Sequence, residues 1–397
     1  MKIVEFLGLK RNIVILLSVV VLIGAGEETW MRFLPKYLES LGATALLIGV
    51  FDALRTFLGA VYAYPGGLAV DRWGHRRALL AFNAISICGY AIALAVPHSA
   101  AVIGSMFLFF AWSTLSLPAM FSVVGSNLPE GKRTMGIGVQ ALVKRLPILI
   151  GPVVGGILID RLGVRGGVQA GFAVSIVFGV ISLILQNRLT DTRIATPAFG
   201  GGLIRTVRAF DPKLKRLLLS DILIRFCERI PYAWIVIYSM DRAGVSATQV
   251  GLLTSIEMLA AIVCFVPVAY LADRYGKEPF VIVTFVFFTL FPLSLLASDS
   301  FPLLAVAFAI RGLKEFGEPA RKALIIACSP EPQRGGTIGA YYLIRDVLVT
   351  AGSFLGAALW NVSPEANFLA AAALGGAGTL YYSWTLLRSR FGPLPRT

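Results

Sequence analysis

The chain repeats itself once. Gly67-Leu68-Ala69-Val70-Asp71-Arg72-Trp73-Gly74-His75-Arg76 and Ala269-Tyr270-Leu271-Ala272-Asp273-Arg274-Tyr275-Gly276-Lys277 read alike, and 273 − 71 and 276 − 74 both equal 202. Gly42 and Gly49 recur at the same offset as Gly244 and Gly251. At an offset of 201, Pro118, Pro129, Glu130, Arg133, Gly138, Gly151 and Gly155 recur as Pro319, Pro330, Glu331, Arg334, Gly339, Gly352 and Gly356. A single repeat over half the length predicts two equivalent bundles with a site between them.

The bundles are predicted to lie in a membrane. The chain is 57% hydrophobic and 15% charged, against roughly 25% charged in soluble domains, and its mean hydropathy is +0.77. Apolar runs of bilayer-spanning length (~20 residues) recur near 12–38, 44–69, 77–96, 101–127, 134–159, 167–187, 214–239, 246–271, 279–297, 301–327, 336–359 and 366–387. The expectation is an all-α integral membrane protein of twelve transmembrane helices. One six-helix bundle spans 1–187, a linker 188–213 and a second bundle 214–397, related by pseudo-two-fold symmetry. The first run is too long for a secretory signal, and no small-residue cleavage site follows it.

The net charge of +14 is explained by topology rather than by nucleic-acid binding. Lys and Arg gather at the termini and the even-numbered connections, whereas only Arg161, Arg165 and Arg242 fall in the odd-numbered ones. That bias predicts cytoplasmic termini and contact with anionic lipid headgroups. Cys88, Cys227, Cys264 and Cys328 each lie in a different span without metal-ligand spacing, so buried apolar packing is expected of them. No cofactor or metal motif is present, and the two histidines, His75 and His98, form no catalytic constellation.

The Asp71 loop places a carboxylate where span two leaves the membrane, ahead of a glycine turn and basic residues. Such a carboxylate can accept from the amide groups at a neighbouring helix N-terminus, and a bond of that kind can bias one conformation. Gly67, Asp71, Arg72, Gly74, Arg76 and Arg77 make this loop similar to the signature between spans two and three of the major facilitator superfamily, with Ala69 at the usual Leu and His75 at a usually basic position. The second copy keeps Asp273, Arg274 and Gly276. Span five, with Gly151, Pro152, Gly155 and Gly156, resembles the glycine-rich motif of antiporters in that superfamily, although Pro147 stands at one of its glycines. Small residues there allow close helix approach. The resemblance covers the whole chain. It implies a bacterial-type transporter of the inner membrane, working by alternating access, with spans one, four, seven and ten lining a cavity flanked by two, five, eight and eleven.

Charges inside the spans follow that partition. A charge at mid-bilayer costs at least ~2.5–3.5 kcal/mol on insertion scales, so buried ones must line water or pair. The candidates are Glu27, Glu28 and Arg32 in span one, Asp52 and Arg55 in span two, and Lys144 and Arg145 in span five. Span seven adds Arg225, Glu228 and Arg229, span eight Glu257, and span eleven Arg345 and Asp346. In span ten, Arg311, Lys314, Glu315, Glu318, Arg321 and Lys322 fall within about 120° of one helical face, predicting Arg311–Glu315, Lys314–Glu318 and Glu318–Lys322 pairs. Arg321 and Lys322, near the end of that span, are read as solvated. Nearby aromatics, among them Trp30 and Tyr232, are candidates for ligand contact or interfacial anchoring.

Together these features predict a monomeric secondary transporter rather than an enzyme. It would be coupled to protons and would move a small charged or amphipathic organic molecule, with export favoured. Symport of an organic anion or zwitterion, and flipping of a lysophospholipid, stay open as alternatives.

Overall fold

The computed structural model describes residues 11–116, 143–189, 207–208, 210–329 and 334–390. The repeat markers Pro118, Pro129, Glu130, Arg133, Gly138, Pro330 and Glu331, and most of the linker 188–213, lie outside the described residues.

All regular structure among the described residues is helical. The first half holds α1 (Arg11–Trp30), a 3₁₀ turn (Met31–Phe33), α2 (Leu34–Ser40), α3 (Ala45–Val61), α4 (Ala63–Trp73), α5 (His75–Ala95), α6 (Ser99–Phe109), α7 (Ala111–Leu115) and α8 (Arg145–Gln186). The second half holds α9 (Pro212–Tyr232), α10 (Trp234–Asp241), α11 (Ala247–Tyr275), α12 (Glu278–Leu296), α13 (Phe301–Leu313), α14 (Glu318–Ala327), α15 (Arg334–Val362) and α16 (Pro364–Arg390). Six segments among the described residues are long and apolar enough to cross a membrane. Their outward residues include large apolar ones, as lipid contact requires: Val362 is 76% exposed and Val263 69%.

Local chemistry sets the boundaries. Asp211 accepts from the Lys213 amide at 2.7 Å, with Pro212 at the first helical position of α9, the favoured start of a helix. Gly74 and Gly276 take φ of +80° and +93° at matched turns, a conformation that a Cβ disfavours. Gly42 and Gly244 form a second matched pair, at +80° and +65°. The 42 residues of α8 are two arms hinged at Gly163, whose φ is 74° and ψ 167°. Gly167 consequently lies against Ile159, although eight residues of straight helix would span ~12 Å.

The chain forms two compact units. The first comprises Met1–Leu47, Phe57–Ala198 and Ser246–Ser255, and the second Ile48–Thr56, Phe199–Val245 and Ile256–Thr397. Each therefore takes in a short segment from the opposite half of the sequence. In the first unit, Gly155 meets the Thr29 carbonyl and Gly171 meets Trp30. Trp30 is fully buried, its ring centroid 4.7 Å from Phe172, 5.2 Å from Phe109 and 5.9 Å from Tyr90, and its Nε1 donates to Ser175 Oγ at 2.9 Å. That places Trp30 in the core, correcting its reading as a ligand or interface contact. In the second unit, Gly356 meets the Ile230 carbonyl, and Phe285, Tyr341 and Tyr382 anchor the apolar core. Burial holds for Cys227 but not for Cys88, which is exposed, nor fully for Cys264 and Cys328. Cys88 sits on an outward position of the apolar α5, where a small thiol costs nothing against hydrocarbon.

Candidate functional site

Helices broken within their length mark the polar regions of both units. The α1–α2 passage is interrupted by the 3₁₀ turn, α6–α7 at Phe110, α9–α10 at Ala233, and α13–α14 between Leu313 and Glu318. These correspond to spans one, four, seven and ten. Interrupted membrane helices free backbone groups where a cavity can use them.

In the first unit the polar centre is Glu27 on α1. Tyr90 of α5 donates to its Oε1 at 2.7 Å, and Ser113 of α7 lies 2.6 and 2.7 Å from its two oxygens. Lys144, at the start of α8, stands within coulombic range of Glu27. Glu28 follows on the same helix, its Cβ packed against Gly151. Arg32 is half-buried in the 3₁₀ turn, and Arg145 opens α8 half-buried.

In the second unit, α9 presents Asp221, Arg225, Glu228, Arg229 and Tyr232 at helical spacing. Every ionised side chain on this stripe meets an opposite charge. Glu228 accepts from Lys314 at 2.8 Å and from Arg225 at 2.7 Å. Glu257 on α11 lies 3.2 Å from Arg311 and 3.6 Å from Lys314. Gly312 sets that contact, because a Cβ there would stand 2.2 Å from the Glu257 carbonyl oxygen. Asp52 on α3 accepts from Arg229 at 3.1 Å and from Ser353 at 2.6 Å, while Arg55 donates to Tyr232 at 2.5 Å. Glu318 bridges Arg321 at 2.7 Å and Arg225 at 3.5 Å. Asp221, 1% exposed, bonds Arg321 and takes Tyr341 at 3.1 Å and Arg345 at 3.3 Å. Arg345 also holds Asp346 at 2.8 Å. A crevice lined by Phe287, Phe288, Phe291, Cys227, Glu228, Arg311 and Lys314 opens beside this network.

The span-ten stripe differs from expectation. The chain leaves the α-helix between Leu313 and Glu318, so the six charged residues do not share one helical face. Lys314 turns to Glu228 and Glu257 rather than to Glu318. The Glu318–Lys322 pair does form, at 3.4 Å. Arg321 is 1% exposed and paired rather than solvated, whereas the Lys322 side chain is 58% exposed. Glu315 lies half-buried within the break.

Around the signature loop, Arg72 and Arg77 are exposed, and Arg76 donates to Asn187. Arg274 stacks over Tyr275, 5.5 Å from its ring centroid. The side-chain surroundings of Gly67, Asp71 and Asp273 lie outside the described residues. In the glycine-rich motif, Gly151, Gly155 and Gly156 are all contact points, and Pro152 lies inside the helix.

The repeat relates the two centres. Glu27 and Glu228 are 201 residues apart, as are Ser113 and Lys314, and Tyr90 and Phe291. Equivalent carboxylates thus take hydroxyl donors in the first unit, with Lys144 in coulombic range, and cationic donors in the second. Protonating Glu228 strands buried cations, which is strongly unfavourable. Hydroxyls serve either protonation state of Glu27, since they donate to a carboxylate and accept from a carboxylic acid. Sequence reasoning missed Asp221, Tyr90, Ser113 and Ser353. Asp221 had a signal, standing four residues before Arg225, and Ser113 had one in its alignment with Lys314.

The sequence profile of the Major Facilitator Superfamily matches residues 16–238 and 217–396. Multidrug resistance protein MdtG of Proteus mirabilis (strain HI4320) is 27% identical, with 96% of each chain covered, and MdtG of Escherichia fergusonii is 26% identical over 97% of this chain and 96% of its own. The fold is similar to that of the nucleoside transporter NupG (D323A mutant), with a TM-score of 0.80, 11% identity, and 95% of this chain and 99% of that one covered. It is also similar to a POT family transporter in complex with 5-aminolevulinic acid, with a TM-score of 0.77, 16% identity and 96% of both chains covered. The matched profile spans both halves of the repeat and nearly all the chain, which therefore belongs to the Major Facilitator Superfamily and is a multi-pass membrane transporter, not an enzyme.

Proposed function

We propose that this protein is a proton-coupled exporter of small charged or amphipathic organic molecules. In this reading Glu27 carries the coupling proton and the second unit's ion network is its rigid counterpart. The observation that carries it is the contrast at equivalent positions: Glu27 accepts from Tyr90 and Ser113, whereas Glu228 accepts from Lys314 and Arg225. A group that gains and loses a proton each cycle is better placed among hydroxyls, which serve both of its forms, than within a frame of several buried cations. Lys144, within coulombic range of Glu27, supplies the competing interaction: it is paired when Glu27 is ionised and released toward water or substrate when Glu27 is protonated. Export is supported by the MdtG relatives, named as multidrug resistance proteins. The aromatic crevice beside Glu228 offers apolar walls to an amphipathic ligand.

The bundles 1–187 and 214–397 rock about the linker 188–213 in an inner membrane, with both termini cytoplasmic. The working unit is a monomer in contact with anionic lipids. The remaining charges, Glu28, Arg32, Arg55, Arg145, Glu315 and Asp346, serve as cavity lining or conformational locks.

The test is transport in proteoliposomes of the purified protein. An imposed pH difference is expected to drive a fluorescent amphipathic cation against its gradient in the wild type and not in Glu27→Gln. Transport of equal rate with and without the pH difference overturns proton coupling. Accumulation of a labelled lysophospholipid in place of the soluble dye overturns the substrate class.

A further inference from the structure

The first turns of α11 are held on α8 by a carboxylate. Asp160 Oδ1 accepts from the Ala247 amide at 3.0 Å, and Oδ2 from the Thr248 amide at 2.9 Å. Both donors belong to the first turn of α11, where backbone N–H groups have no acceptor within the helix and a negative charge is favoured by the helix dipole. The seam continues below this contact. A Cβ at Gly156 would stand 2.4 Å from the Ala247 carbonyl oxygen, and one at Gly251 would stand 2.4 Å from that of Pro152. Ser255 Oγ donates to the Leu149 carbonyl at 2.6 Å.

This seam lies inside the first unit, which includes Ser246–Ser255, while the rest of α11 belongs to the second. Among the described residues the repeat shows one such clasp. The residue equivalent to Asp160 is Asn361, which is exposed; both helix starts also carry a cap of their own, Thr44 accepting from Leu47 at 3.4 Å on α3 and Ser246 accepting from Gln249 at 3.2 Å on α11.

We propose that Asp160 is a positioning residue of the transport cycle: it clasps the N-terminus of α11 to α8, and the clasp must open once per turnover. The inference rests on the alternating-access reading above, and its test has one arm that does not need transport.

That arm is hydrogen–deuterium exchange of the full-length protein in detergent. Asp160→Asn is expected to speed exchange at the Ala247 and Thr248 amides at least tenfold while the rest of α11 is unchanged, and Asp160→Glu to restore part of the protection. Equal exchange in wild type and Asp160→Asn overturns the clasp whatever the protein transports. The second arm is the pair Asp160→Cys with Thr248→Cys, oxidised by copper phenanthroline in proteoliposomes. A cross-link that lowers transport at least tenfold, with recovery in dithiothreitol, supports opening in every cycle. A cross-linked protein that transports at the reduced rate, or a pair that does not cross-link, overturns it.

Discussion

Gly155 lies so close to the carbonyl of Thr29 that an added Cβ would stand 1.7 Å from its oxygen, and the contact recurs 201 residues on, where a Cβ at Gly356 would stand 2.3 Å from the Ile230 oxygen. The obstacle is backbone in both cases, so no rotamer change relieves it. Gly155→Ala and Gly356→Ala must push α8 from α1, or α15 from α9. Overpacking a well-filled core costs typically 1–3 kcal/mol, and a backbone clash belongs at or above the upper end. Gly104, whose Cβ would meet nothing within 4 Å, provides the control. Thermal unfolding in detergent is expected to show a lower Tm for both core variants and a Tm for Gly104→Ala at or above wild type. A Gly155→Ala protein as stable as Gly104→Ala would falsify the close-seam account.

The two equivalent carboxylates are expected to fail differently. Glu27→Gln keeps an acceptor for Tyr90 and Ser113, so its Tm stays near wild type while transport driven by a pH difference falls at least tenfold. Glu228→Gln removes the negative charge facing Lys314 and Arg225. Breaking a buried pair costs roughly 3–5 kcal/mol, and this variant lies toward the lower figure because Glu257 remains 3.6 Å from Lys314. A clear drop in Tm is the expected result. If Glu27→Gln unfolds like Glu228→Gln, the hydroxyl-held carboxylate is structural and the coupling assignment fails.

The fold was legible because hydropathy and repetition are properties of sequence alone. Gly42 and Gly244, Gly74 and Gly276, and Gly155 and Gly356 all do matched work in the two halves, as their spacing implied. What spacing could not supply was the partner of each charge. The helical arc through Arg311, Lys314 and Glu318 assumed a continuous helix, and the break between Leu313 and Glu318 sends Lys314 across to α9. Arg321 read as solvated because it sits near the end of its span. Its partner Asp221 stands 100 residues away, and no local pattern reports such a pairing. Ser113 and Tyr90 carry no charge, so a search for ionisable residues passed over the two groups that distinguish Glu27.

Asp221 offers the sharpest test of the network as a structural frame. It bonds Arg321, Arg345 and Tyr341, with Arg225 at 3.7 Å. Asp221→Asn preserves its shape and removes the one charge these guanidiniums share. The Arg321 side chain is 2% exposed and keeps Glu318 at 2.7 Å, so its desolvation is only partly compensated and the loss is expected toward the lower end of about 3–5 kcal/mol. Lys322→Gln, at a side chain that is 58% exposed, is expected to change stability by less than about 1 kcal/mol. The interaction itself is isolated by a double-mutant cycle. Asp221→Asn combined with Arg321→Met should lose less than the sum of the two single variants, because each single variant already removes their mutual attraction and the double variant loses it only once. Additive losses would mean that Asp221 and Arg321 are held by separate neighbours rather than by each other.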